Sequence, residues 1–316
     1  MKADYSDLLA EAVRAAGLSP RAVVLPEDRQ VELGGLRFHY LDWGNAHLPH
    51  VVLLHGGSLT AHTWDLAALL LRDRYHLLAL DQRGHGDSAW TPEARLGEDA
   101  GDLMLGDTRR FIDHLGYERL ALVGMSMGGI NAMRYAARHP DRLDALGIVD
   151  VAPESMREGQ VEMESFRRAT DPLDRFEDFV ERAVRFMPHR PLAHLRYSLT
   201  HSLKRLPDGR FTWKRDRRAR PVQGSEAERQ AEAGRRADEL WRDLGSIPVP
   251  TLLFRGADSK ILSPQLAARA VKSMRDARQV VIPRATHNVH SDNPGDFARA
   301  LDDFLSSRAG TGSTNP

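Results

Sequence analysis

Short apolar runs rich in Val, Leu and Ile alternate along this chain with longer stretches in which apolar side chains recur every three or four positions. That alternation predicts a parallel sheet covered by helices. Residues 31–44 read as two strands around a Gly34-Gly35 turn, and 50–55, 75–81, 119–124, 143–151, 250–256 and 278–283 as later strands. Helices are predicted at about 62–72, 100–115, 127–138, 263–275 and 294–307, the second stopped by Gly116.

The alternation fails once. From 153 to 246 the sequence turns helical and charged, with prolines at 172, 188, 191, 207 and 221, which predicts an inserted helical cap between two core segments, 29–152 and 247–308. Its basic run (Lys204, Arg205, Arg210, Lys214, Arg215, Arg217, Arg218, Arg220) is interrupted by Asp208 and Asp216 and reads as a solvated face rather than a polyanion site. Residues 1–28 predict a helical arm with Leu8, Leu9, Ala12, Val13 and Ala16 on one side, able to dock on its own chain or on a second subunit of a homo-oligomer. The tail 309–316 has nothing to bury and is expected to fray.

Composition narrows the function. With 316 residues, 41% of them hydrophobic, the chain can bury a sizeable core and is too apolar for disorder. Lys and Arg (44) balance Asp and Glu (44), which argues against a nucleic-acid partner. The absence of Cys excludes disulfides, thiolate metal sites and a cysteine nucleophile. Asp4, Asp7 and Glu11 stand where a secretory peptide needs an apolar core, and the longest apolar run, Leu66 to Leu71, is too short to span a bilayer. A soluble cytoplasmic protein with no membrane partner is expected.

Gly124-Met125-Ser126-Met127-Gly128 follows the apolar run 120–123 and precedes a helical stretch. This is the context of a nucleophile elbow, where a serine on a sharp strand-to-helix turn needs glycines two residues to either side because a Cβ there would strike neighbouring backbone. His55-Gly56-Gly57-Ser58 follows another apolar strand, and the backbone N–H of Gly57 is a candidate oxyanion donor, with His55 structural.

At these residues the chain resembles the α/β-hydrolase superfamily, specifically its cap-bearing serine hydrolases. The resemblance runs over about 31–308, through His55-Gly56-Gly57, Asp81-Gln82-Arg83-Gly84-His85-Gly86-Asp87-Ser88, Gly124–Gly129, Gly256-Ala257-Asp258 and Thr286-His287-Asn288-Val289-His290. It implies an α/β fold with a mostly parallel central sheet of about eight strands flanked by helices. It also implies a triad in the order serine, acid, histidine, met by Ser126, Asp258 and His287. Asp150, which also ends a strand, is the competing acid, and His290 the competing base, although the superfamily pattern points to the first of the two histidines. Thr286 stands where glycine is usual. Met127, opening the helix after the nucleophile, supplies the second oxyanion N–H. Arg83, His85 and Asp87 are expected to order their turn rather than to perform chemistry.

The expected chemistry is acyl transfer, because a serine hydroxyl needs an imidazole to take its proton and a carboxylate to orient that imidazole. Neither a metal nor an organic cofactor is required; His287 and His290 lack a third convergent ligand. Serine rather than aspartate at the elbow argues against epoxide opening and halide displacement. Hydrolysis of a small, apolar carboxylic ester or lactone is the first reading. The alternatives are carbon–carbon cleavage of a vinylogous diketone, perhydrolysis, and a non-catalytic receptor. Relatives of the carbon–carbon kind carry a longer glycine run and an Asn where this chain has Ser58-Leu59-Thr60 and Met125. Trp64, Phe186, Met187, His189, Tyr197 and Trp213 are candidate pocket walls, although packing accounts for such side chains equally well.

Overall fold

The computed structural model describes residues 5–168, 171–218 and 225–309; Arg220, Pro221 and the tail from 310 onward lie outside the described residues. Helix α1 (Tyr5–Ala15) precedes a hairpin, β1 (Glu27–Leu33) and β2 (Leu36–Asp42). Then come β3 (His50–Leu54), α2 (Asp65–Leu71), β4 (His76–Leu80), α3 (Ala100–Leu115), β5 (Leu120–Met125), α4 (Met127–Arg138) and β6 (Leu143–Val149). The inserted segment carries α5 (Arg157–Arg168), α6 (Phe176–Phe186), α7 (Leu192–Ser202), a short hairpin of β7 (Leu203–Arg205) and β8 (Phe211–Trp213), and α8 (Glu226–Ser246). β9 (Thr251–Gly256), α9 (Pro264–Ser273), β10 (Ala277–Ile282), α10 (Val289–Asp292) and α11 (Pro294–Ala309) follow.

Eight strands form one sheet in the order β1-β2-β4-β3-β5-β6-β9-β10. It is antiparallel at β1·β2 and β2·β4 and parallel elsewhere, the mostly parallel sheet that the alternation predicts. β1 starts at Glu27 rather than near 31, because Glu27 pairs with Asp42 across the hairpin and an edge strand needs no apolar alternation to do so. Successive side chains of a strand point to opposite faces. Thus Val51 and Leu53 of β3 join one buried layer with Phe297, Leu301 and Phe304, while Val52 and Leu54 join the other with Phe111, Ile112 and Met133.

The inserted segment folds unevenly. α6, α7 and the β7–β8 hairpin enclose a small core of their own, centred on Phe179, Val180, Leu195 and Leu199. α8 lies instead on α4, with Leu244 in the main core. α1 buries Leu9, Ala12 and Val13 and packs on α7 of its own chain. Among the described residues no helix is long and apolar enough to cross a membrane.

From β3 the chain winds outward to β4, then returns to β5 on the other side of β3. That reversal opens a crevice at the carboxyl ends of β3 and β5, where open α/β sheets place their ligands. The loops rimming it are braced by an ion network centred on buried His39 and Asp81. His39 of β2 contacts Asp28 (2.9 Å) and Asp81 (2.7 Å), and Asp81 in turn accepts the N–H groups of Ala61 (2.7 Å) and Asp87 (3.0 Å). Burial disfavours charge on His39, but hydrogen bonds to the two carboxylates outweigh it and raise its pKa to about 9. Burial likewise opposes ionisation of Asp81, yet His39 holds it down to about 2.

Because an unfolded histidine titrates near 6.5, the stabilisation from charged His39 is complete below that pH and is lost as pH rises through about 9. No cysteine titrates in this window. The Tm should therefore fall by several degrees between pH 7 and pH 10, and His39→Gln should flatten that slope, as a melting series in matched buffers will test.

Candidate active site

β5 ends in the elbow. Ser126 sits at φ +52°, ψ −116°, a conformation that costs a serine of order 1–3 kcal/mol and persists only where its surroundings hold it. Its N–H donates to Val149 O (3.1 Å) and its carbonyl accepts from Ile130 N–H (2.9 Å), so the turn is tied to β6 on one side and to the first turn of α4 on the other. Met127, the first residue of that helix, has an N–H without an intrahelical acceptor. Gly57 lies beside it: a Cβ on Gly57 would stand 3.9 Å from Met127 Sδ and 4.0 Å from its Cβ. The two backbone donors singled out in the sequence therefore come from adjacent loops.

His55 is fully buried beneath them. Its Nε2 accepts the Gln82 N–H (3.0 Å), so Nδ1 carries the proton and donates to Gly56 O (2.8 Å). Burial, with the neighbouring His85, pushes its pKa down to about 4, and the neutral ring serves as a brace for the Gly56-Gly57 turn. The 81–88 turn is tied to α3, with Nε and Nη2 of the Arg83 guanidinium forked onto buried Asp107 at 2.7 Å each.

His287 follows β10, and the structure corrects the expectation for its partner. Nδ1 of His287 is 2.9 Å from Oδ2 of Asp150, not in contact with Asp258. Asp150 stands at the end of β6 with φ +51°, fully buried, its Oδ1 accepting the Gly256 N–H (3.0 Å) and its Oδ2 the Ser259 hydroxyl (2.5 Å). The positive φ turns its carboxylate across the end of β9 toward the 285–287 loop. Asp258 donates its N–H to Ala285 O (2.9 Å) and leaves its side chain exposed at the cavity rim. His290 is fully buried, bonded to Thr63 Oγ1 (3.0 Å) and stacked on Trp64, so the second histidine of the pair is a packing residue.

Ser126 and His287 line one cavity of about 320 Å³, and His287 Nε2 has no hydrogen-bond partner among the described residues. Ala183, Phe186, Met187, Leu195, Leu199 and Trp213 form an apolar wall supplied by the inserted segment. Of the six proposed wall residues, Phe186, Met187, His189 and Trp213 reach the cavity. Trp64 and Tyr197 do not: Trp64 packs on His290 and Phe297, and the Tyr197 hydroxyl donates to Asp65 (2.5 Å).

Among the described residues two clusters gather metal-type donors, His62–Asp65–His201 and His39–Asp81–Asp87. Internal contacts close the second, whereas Asp65 Oδ1 and His201 Nε2 of the first are buried without a hydrogen-bond partner among the described residues. His62 Nδ1 lies 2.7 Å from Asp65 while its ring stacks on that of His201, and the second cluster is the loop brace described above.

An elbow serine, a histidine held by a buried carboxylate and two backbone N–H groups thus gather at the switch point of an α/β sheet. The sequence pattern of the alpha/beta hydrolase fold matches residues 49–294, and the chain belongs to that family. It is 31% identical over 299 residues to the esterase Rv0045c of Mycobacterium tuberculosis, covering 92% of each chain. A crystal structure of that esterase superposes with a TM-score of 0.74 at 28% identity, covering 97% of this chain and all (100%) of the other. A second relative is the sn-1-specific diacylglycerol lipase ABHD11 of Mus musculus, 29% identical over 288 residues and 85% of each chain.

Proposed function

We propose that the protein hydrolyses a carboxylic ester or lactone through an acyl-enzyme on Ser126, with His287 as base, Asp150 as its orienting acid, and the N–H groups of Gly57 and Met127 as the oxyanion hole. One observation supports this reading: His287, which lines the same cavity as Ser126, is anchored on one ring nitrogen by a buried carboxylate, while its other nitrogen is buried and has no hydrogen-bond partner among the described residues. Ser126 Oγ bonds to the acyl carbon as its proton passes to His287. The imidazolium then protonates the departing alcohol, and water repeats the sequence to release the acid.

The α6–α7 pair and the β7–β8 hairpin act as the cap, and their apolar wall selects an apolar acyl or alcohol group. The similarity to an esterase along 92% of the chain supports ester hydrolysis over the carbon–carbon, peroxide and receptor alternatives. Purified protein should hydrolyse p-nitrophenyl esters and take one fluorophosphonate per chain, at Ser126, with Ser126→Ala losing both. Absence of label and of turnover on an ester and lactone panel would refute the assignment.

A further inference from the structure

The loop that carries Gly57 is held at a point that the catalytic reading does not use. Ser58, next in the chain, adopts φ +67°, a left-handed conformation that a serine keeps only when something fixes it. The Gly56-Gly57-Ser58-Leu59 turn is closed by one backbone hydrogen bond, Leu59 N–H to Gly56 O (3.1 Å). The Ser58 hydroxyl accepts from Arg215 Nη1 at 2.8 Å, a charge-assisted bond from a half-buried guanidinium 157 residues away in sequence.

Arg215 belongs to the segment leaving β8, and that segment is fastened on two sides. Lys214 N–H donates to Ser202 O at the end of α7 (2.8 Å). Lys214 O accepts from Gly86 N–H (2.8 Å), Asp216 N–H donates to Gly84 O (2.6 Å), and Lys214 Nζ meets Asp87 at 2.6 Å. Trp213, two residues before Arg215, lines the cavity. The backbone position of Arg215 is therefore set by the cap and by the 83–87 turn together, and its side chain delivers that position to the oxyanion loop.

We propose that Arg215 is a positioning residue for catalysis: by gripping Ser58 it fixes the left-handed turn that aims the Gly57 N–H at the substrate carbonyl oxygen, so that seating of the cap hairpin completes the oxyanion hole. The inference rests on the acyl-transfer reading above. An oxyanion donor works only when it stands within hydrogen-bond reach of the charge that develops, and loss of one costs about a hundredfold to a thousandfold in kcat. A donor left in place but loosely aimed loses part of that.

Arg215→Met should thus lower kcat about 10- to 100-fold with KM changed less than about twofold, and Arg215→Lys, which keeps a charged donor, should recover part of the loss. Ser58→Ala should resemble Arg215→Met, and the double variant should be little worse than either, since both break one interaction. Affinity for a trifluoromethyl ketone, whose hemiketal oxygen uses the same donors, should weaken by the factor seen in kcat. Arg210→Met removes an exposed ion pair with Asp208 from the β7–β8 turn without touching Ser58 and should leave kcat within about threefold.

A KM rise at constant kcat, additive losses in the double variant, or an Arg210→Met defect equal to that of Arg215→Met would overturn the proposal; so would unchanged kcat in Arg215→Met. Should Arg215→Met fail to fold, Arg215→Lys and Ser58→Ala decide by the same criteria. Inertness of the unsubstituted protein toward every ester would instead sink the acyl-transfer reading, and the inference with it.

Discussion

Asp150→Asn should lower kcat by about 10³- to 10⁴-fold, while Asp258→Asn should change it by less than about threefold. The asymmetry follows from the hydrogen-bond directions around Asp150. Its Oδ1 takes the Gly256 N–H, and its Oδ2 takes both the Ser259 hydroxyl and the Nδ1 side of His287. Ser259 Oγ already accepts the N–H groups of Ile261 and Leu262 (3.1 Å each), so its own proton has only the carboxylate to go to.

An asparagine at 150 keeps its carbonyl on Gly256 and turns its amide NH₂ toward Ser259 and His287. Facing a donor, Nδ1 of His287 gives up its proton, which then resides on Nε2, and the ring can no longer accept the proton of Ser126. The negative charge that stabilises the imidazolium is lost in the same change. Asp258, exposed at the rim, has no such part. Steady-state kinetics beside melting curves will separate catalysis from folding, and a larger kcat loss at 258 than at 150 would return the acid to the position first expected.

Why sequence reasoning paired His287 with Asp258 rather than Asp150 is itself physical. Ser126 was legible because its requirements are local: an apolar strand, two glycines and a helix start lie within a dozen residues. Both carboxylates also end apolar strands, and in sequence they look equivalent. What separates them is that β6 lies between β5 and β9 in the sheet, and that a positive φ tucks Asp150 beneath the Gly256 amide. Neither fact has a local signature.

The same holds for Arg215. Within a basic run it reads as solvated surface, and only the docking of Lys214 and Asp216 on the Gly84–Asp87 turn carries it to Ser58. Tyr197 shows the converse. As an aromatic of the inserted segment it was a candidate pocket wall, yet its hydroxyl donates to buried Asp65 and its ring lies in the core.

The elbow glycines carry the largest expected effect on stability. A Cβ on Gly124 would fall 2.2 Å from Gly128 O, and one on Gly128 would fall 2.3 Å from Leu54 O and 2.6 Å from His55 O. All of these atoms are backbone, held at the end of β3, in the residue that follows it and at the start of α4, so none can swing aside as a side-chain tip would. Relief requires α4 to move off the sheet, which pulls its own Ala132, Met133 and Ala136 out of the buried layer. Gly128→Ala should therefore destabilise the fold by on the order of 4 kcal/mol or more, a large share of the roughly 5–15 kcal/mol typical of a folded domain.

Gly234, inside α8 with nothing within 4 Å of an added Cβ, supplies the opposite case with the same chemical change. There alanine should stabilise by about 0.5–1 kcal/mol, because it restricts the unfolded chain and favours the helix. Urea midpoints for the two variants should move in opposite directions. If Gly128→Ala unfolds at an unchanged midpoint and still takes the fluorophosphonate, then the approach of the serine turn to β3 does not depend on the missing side chains, and the close packing that sets Ser126 beside Gly56 loses its physical basis.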